Sequence, residues 1–179
     1  MMEDSFKGRL RHEVIGILLI ATGIFLFLSL VSYDPMDPSF FFYTSSRVKG
    51  VQNWMGMVGA YVSGLFFQGF GFPSFLIPFV LGVFAFSFIF HWEWKYPSVK
   101  LAGWSVMLLA IASLFSLWLK PLQVYQQDLL SGGFIGEILS RGLVRYFNLP
   151  GATVLLLVIL ILAFIFGTGI SSSSIFSAS

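Results

Sequence analysis

Val14–Ser32, VIGILLIATGIFLFLSLVS, contains no charged residue, and it is about as long as a roughly 30 Å hydrocarbon layer requires of a helix. It reads as a transmembrane span. Lys7, Arg9 and Arg11 stand just before it, while Tyr33-Asp34-Pro35-Met36-Asp37-Pro38 follows at once. Two prolines and two aspartates end the helix there. The basic end is expected inside and the acidic, Pro-rich end outside. A cleaved signal peptide has a similar basic start, but this apolar run is longer than a typical signal core and further runs follow.

The composition extends that reading to the whole chain. Hydrophobic residues make up 57% and aromatic residues 18%, against only 10% charged, where a soluble domain carries roughly a quarter charged. This is an integral membrane protein. With apolar runs spread along all 179 residues and only short ends outside them, one membrane domain over residues 1–179 is expected and no separate soluble domain fits. The net charge of +2 is small and the basic residues are scattered at the flanks of apolar runs. Such a pattern anchors a protein at the interface and gives no surface for direct nucleic-acid binding. Cysteine is absent, which removes disulfides and thiolate chemistry from these residues.

Three more spans are expected, at Ser74–Phe90, Leu101–Leu119 and Ala152–Ile170, none with a charged side chain. Their fold class is all-α integral membrane, with four transmembrane helices and extra interfacial or periplasmic helices. The outer loops are then 33–73 and 120–151. An even span count puts both termini on one side. Lys7, Arg9, Arg11, Lys95 and Lys100 balance Arg47, Lys49, Lys120, Arg141 and Arg145, so charge counting alone does not orient the chain. The first helix breaks the tie and predicts cytoplasmic termini.

Within the outer loops, three groups of residues stand out. Tyr33, Asp34, Pro35, Asp37 and Pro38 form a turn motif, in which Asp before Pro favours a structured exit. The two carboxylates are read as turn formers on an exposed loop and not as a cation site. The following Phe40–Tyr43 cluster is expected at headgroup level, and Thr44–Arg47 is polar. In Val51–Gln68, Gly56, Ala60 and Gly64 recur every fourth residue with Gly59 and Ser63 beside them. That small-residue face is expected to let another helix approach, so that leucine at Gly56 or Gly64 would overpack it. Whether Val51–Gln68 spans or lies at the interface stays open. In the second loop, Phe134–Phe147 reads as a helix bounded by Gly132-Gly133 and Pro150-Gly151. It has Ile135, Ile138, Leu139, Leu143 and Tyr146 on one face and Glu137, Arg141 and Arg145 on the other. This helix is expected on the membrane surface or against the spans, with its charged face as a partner contact.

Catalytic, cofactor and metal sites are not expected. No Gly-Lys-Ser/Thr nucleotide loop occurs in the sequence. His91, in the link His91–Pro97, has no His or Cys near it in the chain and reads as interfacial. Ser171–Ser179 is a polar tail.

Ser32–Phe40 resembles the exit loop after the first span in the N-terminal membrane domain of FtsK/SpoIIIE-type DNA translocases. Asn53-Trp54-Met55-Gly56-Met57-Val58-Gly59-Ala60-Tyr61 is similar to that family's helix before the second span. Gly69 to Pro78 follows in order, and Ser131-Gly132-Gly133-Phe134-Ile135-Gly136 resembles its second-loop motif. The resemblance covers nearly the whole chain. It implies a four-helix domain with cytoplasmic ends at the division septum of a bacterial inner membrane, carrying a linker and a hexameric ATP-driven motor. Those parts have no counterpart in these residues, so the chain is expected to be the anchor portion of a longer protein or a stand-alone or truncated copy. The expected function is a non-catalytic membrane anchor and assembly domain in cell division and chromosome segregation. Its expected partners are the lipid bilayer, further copies of itself and other division proteins, with no cofactor. A small multi-span transporter or channel subunit is the alternative. Against it, spans without ionisable side chains lack what substrate and ion pathways usually place in the membrane.

Overall fold

The computed structural model describes residues 2–40, 50–92, 96–124 and 127–169. The cluster residues Phe41–Tyr43, the polar run to Lys49, Glu93–Lys95 of the aromatic link and the tail Ser171–Ser179 lie outside them. Five α-helices appear in order: α1 Met2–Val31, α2 Gly56–Phe70, α3 Leu76–Ile89, α4 Pro97–Trp118 and α5 Gly133–Thr168. A 3-10 turn, Phe72–Phe75, leads into α3. Four stretches are long and apolar enough to cross a membrane: Arg9–Val31, Phe72–Ile89, Pro97–Trp118 and Gly133–Thr168. The all-α, four-span class is therefore what the structure shows.

Helix α2 has 15 residues, about 22 Å at 1.5 Å per residue, which falls short of a roughly 30 Å hydrocarbon core. By length it does not span alone. Helix α4 starts on Pro97, a position whose amide hydrogen would be unpaired in any case. Helix α5 is two helices joined at a kink, where Asn148 has φ 56 and ψ 172. The break thus falls two residues before Pro150. With ψ near 180° this is a backbone region that glycine adopts freely and other residues only under strain, so Asn148 interrupts the helix, and Pro150 then sits in the first turn of the next helix, where its missing donor goes unnoticed. Between α4 and α5, β1 (Leu122–Val124) and β2 (Gln127–Leu129) pair antiparallel, Leu122 opposite Leu129. This short pair is an addition that the sequence pattern did not signal.

The chain divides into two compact units, residues 1–65 with 74–95, and residues 66–73 with 96–179. In the first, α1 packs on α3 through small residues. A side chain at Gly16 would run into Ile89 and lie 3.2 Å from the Ala85 carbonyl oxygen, and one at Gly23 would lie 3.5 Å from that of Pro78. Leu26, Leu30 and Ala85 are buried there. In the second, α4 packs along α5. A Cβ on Gly103 would come within 2.7 Å of the Gly167 Cα, while Trp104, Met107, Ala110, Ala112, Ala152, Leu156 and Ala163 are buried. Close approach over small residues is how helices gain contact where lipid supplies no hydrophobic drive.

Candidate functional site

The polar residues of the first unit converge where α1 ends. Ser29 and Ser32 turn their hydroxyls back on α1, donating to the carbonyls of Phe25 and Leu28 at 2.7 Å each. This satisfies a hydroxyl inside an apolar helix. Asn53 then ties the loop before α2 to this end of α1. Its Nδ2 donates to the Ser29 carbonyl at 2.8 Å, to the Ser32 carbonyl at 3.3 Å and to Ser63 Oγ at 3.2 Å. Its Oδ1 accepts from the Met55 amide at 3.0 Å. The Trp54 amide donates to Ser32 Oγ at 3.0 Å.

The two aspartates have different surroundings. Asp34 Oδ1 accepts from the Met36 amide at 2.8 Å, the turn bond expected of Asp at such a place. Asp37 is only 6% exposed. Its two oxygens accept from the Gln52 and Asn53 amides, each at 2.8 Å. Asp37 therefore clamps a segment fifteen residues further on, a correction to its reading as a turn former on an exposed loop. Tyr33 and Pro38 are half-buried and Pro35 is buried.

The small residues of α2 divide likewise. Gly59, Ala60, Ser63 and Gly64 are buried. A side chain at Gly59 would strike Asn53 and stand 3.0 Å from Ser29 Oγ, and one at Gly64 would come within 2.8 Å of the Ser39 Cβ. Gly56 is not part of that contact. It is exposed, with open space around a Cβ and φ +66, so at this position the demand is a left-handed backbone at the start of α2.

In the second unit, Gly132, Gly133, Gly136 and Ser140 are buried at the start of α5. Gly132 and Gly136 both abut the Ala112 carbonyl. Phe134, Ile138, Leu139, Tyr146 and Phe147 are exposed, so the large apolar residues do not form the packed side. Glu137 and Arg141 make an ion pair at 2.6 Å, with Arg141 78% exposed and Glu137 23%. Arg145 is exposed. The structure thus does not bring the Glu137 face and the Asp37 cluster into one unit.

His12 and His91 do come together, with ring centroids 5.8 Å apart. Their distance in the chain hid this from sequence reasoning. Ser29 was likewise inconspicuous, although a serine inside an apolar span and an asparagine in a charge-free run were signals for the cluster. Chemically, the Asp37–Asn53 cluster uses its polar atoms on backbone groups and on the Ser63 hydroxyl and so holds shape. Among the described residues, no three His, Asp or Glu side chains gather as a metal site.

Comparison with known proteins agrees with this architecture. The family model for the 4TM region of DNA translocase FtsK/SpoIIIE matches residues 8–179. The DNA translocase FtsK of Pseudomonas aeruginosa is 31% identical over 157 residues, covering 84% of this chain and 19% of that protein. That of Haemophilus ducreyi is 27% identical over 173 residues, covering 93% and 18%. That of Shewanella oneidensis is 25% identical over 162 residues, covering 87% and 17%. The chain thus spans less than a fifth of the length of these relatives. No solved structure matches.

Proposed function

The chain belongs to the FtsK/SpoIIIE family of DNA translocases, within their four-span membrane region, and from that premise we propose that it is a non-catalytic membrane anchor and assembly domain. It holds a translocase in the bacterial inner membrane at the division septum, with both termini cytoplasmic, and serves cell division and chromosome segregation. It does so as a homo-oligomer in contact with other division proteins and without touching DNA itself. The observation that carries this reading is how the polar groups are used. The four apolar runs contain no ionisable side chain, and the buried Asp37–Asn53 cluster is bonded to backbone amides and carbonyls. Turnover requires a reactive group facing a substrate, whereas these groups brace a scaffold.

Recognition then falls to exposed charge outside the apolar runs. Glu137, Arg141 and Arg145 repeat on one side of the first half of α5, and exposed charges of this kind set partner choice more than affinity. Replacing all three with serine removes one surface ion pair, worth about 0–1 kcal/mol. The fluorescently tagged variant should insert into the membrane at wild-type levels yet spread evenly around the cell instead of gathering at the septum. Undiminished septal recruitment would reduce this face to a solvated surface.

A further inference from the structure

His12 lies on α1 and His91 just past α3, within one compact unit. The rings are inclined at 49° with centroids 5.8 Å apart. His12 is further steadied by Phe88, whose ring meets it edge-on at 5.7 Å. The His91 Nδ1 lies 3.0 Å from the Ile89 carbonyl oxygen. A carbonyl only accepts, so Nδ1 is the donor, and in the neutral ring Nε2 then keeps an unshared lone pair. Metal-bound imidazoles usually make such a bond from their other nitrogen, which fixes tautomer and ring orientation.

From these observations the geometry points to a two-imidazole site for a borderline divalent transition cation, of the zinc, nickel or copper type. Metal–nitrogen bonds of about 2.0–2.1 Å at a tetrahedral angle place two imidazole centroids about 5–6 Å apart. The observed separation falls in that interval. Imidazole nitrogen suits these cations and not magnesium or calcium, which take oxygen. Both histidines are exposed, and among the described residues no third His, Asp or Glu completes a cluster. The cation's effect is mechanical: it clips the first half of α1 to the residues just past α3, and it stabilises that pair increasingly as the free cation rises above its dissociation constant.

The test uses the whole chain in detergent with a histidine-free tag, titrated calorimetrically with Zn²⁺ and with Ni²⁺, and melted with and without each metal. Wild type should bind one cation per chain and melt at a higher temperature when loaded. His12→Gln and His91→Asn should each weaken binding about tenfold or more, the scale on which even an outer partner of a metal-bound imidazole matters. Asparagine is chosen because His91 has φ 53, a backbone region asparagine accepts. The double variant should bind no more weakly than either single one. Because the chain has no cysteine, a second variant carrying His12→Cys and His91→Cys should switch preference from Ni²⁺ to the softer Cd²⁺. Equal binding by wild type and the double Gln/Asn variant, or one cation shared between two chains, would overturn the site.

Discussion

Asp37→Ala is expected to destabilise the first unit by on the order of 3 kcal/mol, whereas Asp34→Ala, three residues earlier in the same Asp-Pro pattern, should cost about 0.5–1.5 kcal/mol. The difference follows from what each carboxylate holds. Asp37 accepts two amide hydrogens, from Gln52 and Asn53, at 2.8 Å each, and the Asn53 bond is buried. Removing the carboxylate leaves the buried Asn53 amide without an acceptor, while the Gln52 amide can turn to water, and charge-assisted bonds are the stronger kind. Asp34 closes a local turn in contact with solvent through one bond to Met36. Reversible unfolding in mixed detergent micelles, followed by helical circular dichroism, measures both. Loss of Asp37 should also displace Asn53 and with it the bonds to Ser29, Ser32 and Ser63, so Asp37→Ala and Asn53→Ala together should cost less than their sum. Equal losses at the two aspartates would dissolve the clamp.

In the second unit, alanine at two glycines of α5 should have opposite effects. Gly142 faces open space, and alanine there should stabilise the helix by about 0.5–1 kcal/mol, the usual difference in helical propensity. Gly136 packs against backbone: a Cβ would strike the Ala112 carbonyl oxygen, lie 2.6 Å from its carbon and 3.0 Å from Ser116 Oγ. No rotamer relieves a collision with main chain, so α4 and α5 must separate. Gly136→Ala should then destabilise by about 1–3 kcal/mol, the range for overpacking, despite the same gain in propensity. The same unfolding assay reads both signs. Stabilisation at both positions would mean that the two helices are not in contact there.

The four apolar runs were legible because a bilayer core penalises any charge, so each appears as a charge-free stretch bounded by charges and turn residues. Which face of a helix is packed was not legible in the same way. Lipid is as apolar as leucine, so large apolar residues do not mark the inside of a membrane fold. Hence Ile138 and Leu139 are exposed while Gly136 and Ser140 are buried, the reverse of the soluble-protein expectation. Long-range pairing was equally hidden. Asp34 and Asp37 look alike in sequence, yet the partners that distinguish Asp37 come from Gln52 and Asn53. The small-residue spacing on α2 takes in Ala60 and Gly64, which are buried, and also Gly56, which is exposed and whose positive φ leaves no trace in the pattern. The kink in α5 was foreshadowed by Pro150, but its position at Asn148 depends on a backbone angle that neighbouring residues share out among themselves.

The central claim, an anchor crossing the membrane four times with both ends in the cytoplasm, is tested most directly by single-cysteine labelling in intact cells, since the chain contains no cysteine to interfere. Cysteine is placed in turn at Arg9, Phe40, Tyr96 and Arg145, all exposed, and a membrane-impermeant maleimide is added before or after permeabilisation. Phe40→Cys and Arg145→Cys should label from outside, and Arg9→Cys and Tyr96→Cys only once the membrane is opened. Labelling of Tyr96→Cys from outside would contradict the account, because α1 and α3 would no longer cross as successive spans in opposite directions.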